Sequence, residues 1–143
     1  MSVLAYMGYY YYDVTYLLVI LGAVLSMIAS AQVNSTFKRY SRVRSSCGMI
    51  GAEAAERILY RNGLTNVRIE HISGNLTDHY DPSSKVLRLS DATYNATSVA
   101  AVGVAAHECG HAVQDARGYA PLKFRAALVP AANFGSKFGL PIF

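Results

Sequence analysis

Residues 105–116 read AAHECGHAVQDA, and the reading of this stretch decides the fold. It follows a run of small apolar residues from Val99 and places His107, Glu108 and His111 within a little over one helical turn. The pattern predicts a helix from Val99 to Arg117, capped by Ser98 or Thr97 and stopped by Gly118. On such a helix, residues four apart share a face, so the His107 and His111 imidazoles can reach one metal ion. Glu108, directly after the first histidine, can reach a water in the open position of that metal and act as general base. Zn2+ suits the site, because it accepts imidazole nitrogen, binds tetrahedrally and acidifies its bound water. That water attacks a peptide carbonyl, and Glu108 passes the proton on to the leaving amine.

The neighbouring residues add less. Cys109 lies two positions from each histidine and faces away from them, as a small buried hydrophobe. Gly110 leaves room for close packing behind the site. A catalytic zinc ordinarily has three protein ligands. Asp115 continues the four-residue spacing, but its short side chain lies one turn too far along. A longer pattern of this kind places Gly and His where this chain has Gln114 and Arg117, so it is not met. Upstream, His71 and His79 are the other two histidines, and either could donate from a strand.

The same helix is a poor membrane span. His107, Glu108, His111, Gln114 and Asp115 would all sit in lipid, which argues against an intramembrane site and for a water-exposed domain. The N-terminal segment is different. Asp13 is the sole charged residue before Lys38. The stretch from Val14 to Val33, as a helix, reaches about 30 Å, the thickness of the hydrocarbon core. A signal peptide would need a positive leader, and the leader here has no Lys or Arg but carries Tyr9 to Tyr12, which with Tyr16 suit an interfacial aromatic belt. The stretch FKRYSRVR, residues 37–44, supplies Lys38, Arg39, Arg42 and Arg44 on the other flank. The excess of positive charge predicts that the rest of the chain lies in the cytoplasm of a membrane-anchored protein. This flanking position explains the basic cluster without nucleic acid, and it suits contact with anionic headgroups of the lipid bilayer. Cys47 and Cys109 form no disulfide framework.

Between anchor and motif, residues 45–62 predict an amphipathic helix with Gly63 as C-terminal stop. Val67 to His71 alternates as a strand, Leu76 to Tyr80 suggests a second, and Lys85 to Ser90 a third after the turn Asp81-Pro82-Ser83-Ser84. The expected architecture is α+β: a motif helix on a small antiparallel sheet, preceded by a transmembrane helix. The expected division is an anchor and flank over 1–37 and a catalytic domain over 38–143.

Taken together, these stretches resemble the membrane-bound neutral zinc metallopeptidases of the YugP type. The resemblance rests on residues 74–136, GNLTDHYDPSSKVLRLSDATYNATSVAAVGVAAHECGHAVQDARGYAPLKFRAALVPAANFGS, on the apolar N-terminal helix and on the G-x-x-A-A-E-R-I-L helix. It implies a zincin-like fold, with His107 and His111 on zinc, Glu108 as base and a peptide or protein as substrate. Members of that family are longer, with further hydrophobic segments and an acidic motif whose glutamate looks like the third ligand. The resemblance therefore makes this chain an N-terminal fragment, with its last residues, KFGLPIF, approaching a second membrane segment. It also suggests that the strand Lys85 to Ser90 pairs with an extended substrate. The competing reading is a non-catalytic membrane protein, or an inactive fragment that lacks the third zinc ligand. Oligomeric state is not legible in the sequence.

Overall fold

Val86–Ser90 reads VLRLS, and four of its five residues are buried. A strand buried this fully must be central, and it is. The sheet has three strands, β1 (Arg68–Ile72), β2 (His79–Asp81) and β3 (Val86–Ser90), in the order β1-β3-β2. The protein is described here by a computed structural model that covers residues 14–139. The tyrosines Tyr9 to Tyr12 and the last four residues lie outside that range.

The sheet is mixed, not antiparallel as expected. β2 and β3 form an antiparallel pair, with Tyr80 opposite Leu87, while β1 runs parallel to β3, with Ile69 beside Leu87. The cause is the segment between β1 and β2. Residues 73–78 carry the chain past the end of β3, so that β2 adds to its far side. Long-range side-chain bonds hold this crossing. Asp78 accepts from the Ser90 N–H and hydroxyl, both at 2.8 Å, and Asp91 accepts from the Gly74 N–H at 2.9 Å. The turn into β3 is built on Asp81, whose carboxylate accepts from Ser83 and Ser84 hydroxyls at 2.6 Å. These bonds, that from Ser83 foremost, hold the Asp81 carboxyl below its usual range.

The remaining elements are helices: α1 (Val14–Ser41), α2 (Gly51–Arg61), the single turn α3 (Asp91–Tyr94), α4 (Val99–Ala116) and α5 (Ala120–Gly139). The expected helix over 45–62 begins later than predicted. Val43 to Ser45 instead runs beside the approach to α4, with Ser45 N–H bonded to Thr97 and Val99 N–H to Val43, both at 2.8 Å, and a turn through Gly48, at a φ of 64°, leads into α2. Glu53 then accepts from the Ile50 N–H and caps α2. The core is α2 and α4 packed over β3: Ala55, Leu59, Leu87, Leu89, Ala105, Cys109 and Ala112 form one buried cluster. Alanines on the facing sides let the two helices approach closely.

The chain divides into two units, Met1–Arg39 and Tyr40–Phe143. In the first, α1 is apolar with exposed side chains, and among the described residues it alone is long and apolar enough to cross a membrane. Lys38 and Arg39 fall in its last turn. In the second unit, α5 exposes Phe124, Leu128, Val129 and Phe134.

Candidate metal centre

α4 forms as its sequence predicts. Ser98 caps it, its hydroxyl accepting from the Ala101 N–H at 3.1 Å, and Gly118 ends it at a φ of 68°, where glycine is unstrained. Ala101, Ala105, Cys109 and Ala112 point into the core. The opposite side carries the polar residues. Cys109 behaves as the hydrophobe expected of it: its thiol contacts the Ala55 carbonyl at 3.6 Å, and burial, aided by the nearby Glu108 charge, pushes it up to about 12.

His107, Glu108 and His111 come together. Their ligating atoms all lie within 4.8 Å of one another. The two imidazoles meet edge to face, with ring centroids 4.8 Å apart. His107 is exposed, while Glu108 and His111 are half-buried. Two imidazole nitrogens are donors that zinc accepts, and the Glu108 carboxylate stands beside them. The group opens into a cleft of about 400 Å³ that is also lined by His79, Tyr80 and Arg125. A separate groove of about 470 Å³ beside α2 and β1, lined by Leu59, Leu64, Val67 and Tyr94, holds no histidine or cysteine.

The other histidines are engaged elsewhere. His71 pairs with Asp91 at 2.8 Å and packs against Tyr94. His79 borders the cleft, but its ring nitrogens face the Thr77 carbonyl at 2.8 Å and Arg88 at 3.4 Å. Among the described residues neither joins the three-residue group.

Asp115 does not join it either, and the structure gives it a different partner set. It accepts from the Tyr80 hydroxyl at 2.8 Å and pairs with Lys85, one at each end of the β2–β3 turn. Burial opposes ionisation of Asp115, but the bonds from Lys85 and Tyr80 outweigh it and hold the carboxyl below its usual value. The Tyr80 phenol is pushed the other way, by burial first and by Asp115 second. Tyr80 touches the site directly as well, since its backbone N–H donates to Glu108 Oε2 at 3.2 Å. Sequence reasoning missed Tyr80, because a backbone donor has no signature in the residue type. It also missed Gln114, whose Oε1 is 3.1 Å from His111 Nδ1. A carboxamide three residues beyond a histidine on one helix was the available signal.

The suggested role of the strand Lys85 to Ser90 is overturned. β3 is paired on both sides, so it has no free edge to offer a substrate. The strand that borders the cleft is β2, at the edge of the sheet.

A His–Glu–His group on a helix, facing a cleft beside an edge strand, is a candidate metal site. The chain belongs to the family described as "Putative neutral zinc metallopeptidase", which matches residues 15–143. One relative is the "Putative membrane protease YugP" of Bacillus subtilis (strain 168), 47% identical over 112 residues. Those residues are 78% of this chain and 50% of the relative, so the match spans about half the length of that protein. No solved structure matches the chain.

Proposed function

We propose that this chain carries the zinc-binding half-site of a membrane-anchored metallopeptidase of zincin type, which hydrolyses peptide bonds in polypeptide substrates. The observation that carries the reading is the convergence of His107, Glu108 and His111 in one cleft. His107 and His111 hold zinc, which when bound acidifies water and polarises the scissile carbonyl. Glu108 takes the proton from the attacking water and delivers it to the leaving amine. The Tyr80 N–H occupies Glu108 Oε2, which orients the carboxylate and leaves Oε1 to accept the proton. β2 flanks the cleft as an edge strand and is the element along which an extended substrate would lie.

The third protein ligand usual for catalytic zinc is not among the described residues. Residues 1–37 serve as the anchor and 38–143 carry the cleft. The basic flank of α1, Lys38 to Arg44, supports a cytoplasmic cleft.

The experiment is zinc content and hydrolysis of unfolded casein by the purified chain and by Glu108→Gln. The reading expects zinc in both and hydrolysis reduced about 10²- to 10⁴-fold in the variant, the range for removing a general base. Hydrolysis that survives the substitution would contradict it. Zinc without hydrolysis in either protein would favour the competing reading, a non-catalytic membrane protein or a chain inactive without a third zinc ligand.

A further inference from the structure

Gln114 lies three residues after His111, and side chains on a helix lean toward its N-terminus, so the carboxamide reaches back over the imidazole. Its Oε1 stands 3.1 Å from His111 Nδ1. Both residues are half-buried, so water competes weakly for the contact. A neutral imidazole carries one proton, and the nitrogen that faces an acceptor oxygen is the one that holds it. With a carbonyl oxygen at Nδ1, the proton sits there and the Nε2 lone pair is left free.

We infer that Gln114 is a positioning residue: it holds His111 in the Nδ1–H tautomer and fixes its ring, so that Nε2 is presented as the ligand. As a statement about metal binding this rests on the proposed zinc site; as a statement about the tautomer it does not. Metal-ligating histidines ordinarily donate their second ring N–H to a carbonyl or carboxylate, and Gln114 supplies that acceptor here. His107 has no hydrogen-bond partner among the described residues and meets the His111 ring edge to face. Holding one ring therefore also gives the other a fixed surface to rest against.

The test has two readouts on the full chain in detergent. The first is the ring nitrogen spectrum of His111 in metal-free protein, at about two pH units above the ordinary imidazole value of about 6.5. Wild type and Gln114→Glu should show Nδ1–H, because both offer an oxygen acceptor. Gln114→Leu, which keeps the bulk and a good helix former, should shift His111 toward the Nε2–H form that a solvated imidazole prefers. The second readout is zinc titration, where Gln114→Leu should weaken binding about 10- to 100-fold and Gln114→Glu should not. An Nε2–H proton on His111 in wild type, or a tautomer unchanged by Gln114→Leu, overturns the inference. A wild-type chain that shows the tautomer pattern yet takes up no zinc upholds the role of Gln114 and counts against the peptidase reading instead.

Discussion

The hydroxyl of Tyr80 donates to Asp115 at 2.8 Å, and so ties the edge strand β2 to the last turn of α4. The backbone of the same tyrosine meets Glu108 on α4. One residue thus holds the cleft wall to the helix that carries the His–Glu–His group. Tyr80→Phe removes the hydroxyl and leaves the ring. A hydrogen bond to a charged group is worth about 1.5–3 kcal/mol, and the half-exposed setting places this one near the lower end. Denaturant unfolding should register that loss. Zinc binding should persist, since the backbone contact to Glu108 needs no phenol.

Acid should loosen the same region. Asp115 and Asp81 both ionise at lower pH in the folded chain than an ordinary carboxyl does. The unfolded state therefore binds more protons in acid. The stabilisation is fully present above the unfolded value of about 3.9 and is lost as pH falls through the lower folded values. Thermal unfolding followed from pH 6 downward should show a melting temperature that begins to fall near pH 4. Asp115→Asn should flatten that decline. An unchanged slope in the variant would remove Asp115 from the account.

Much of this was legible in the sequence where the signal is local. Ser98 and Gly118 bound α4 because a cap hydroxyl and a left-handed glycine act on their own neighbours. The pairing of β1 with β3 was not legible, because alternation says which face a side chain takes and nothing about which strand lies beside it. That choice depends on Asp78 reaching Ser90 and Asp91 reaching Gly74, both far apart in sequence. The late start of α2 depends on Ser45, whose N–H bonds to Thr97 before α4, and on the turn at Gly48 that follows. In the site, His107, Glu108 and His111 were visible by spacing, whereas Tyr80 contributes a backbone N–H that any residue but proline possesses.

Gly51 gives a test of the packing between α2 and α3. A methyl group there would collide with the Thr93 carbonyl oxygen. Helix propensity alone favours Gly51→Ala, by less than the ~1 kcal/mol of a helix interior because Gly51 opens the helix. The collision involves backbone, which cannot rotate away, and overpacking of this kind costs about 1–3 kcal/mol or more. The variant should therefore be less stable than wild type in urea, against the propensity trend.

Leu87 and Leu89 on β3 are fully buried beneath α2 and α4. Leu87→Ala should cost about 2–5 kcal/mol through lost burial and the cavity left behind. Its neighbour in register is Tyr80, so the cavity should also reduce zinc affinity. Tyr80→Phe, by contrast, should leave affinity nearly unchanged. Titrating both variants with zinc separates a packing defect from a lost hydrogen bond.

The central claim is that His107 and His111 together hold zinc. Zinc bound to the purified chain at neutral pH, measured by elemental analysis beside the His107→Ala and His111→Ala variants, tests it most directly. The account predicts about one zinc per wild-type chain and its loss in each single variant, with the fold retained by circular dichroism. A wild-type chain without zinc, or variants that keep it, would contradict the claim.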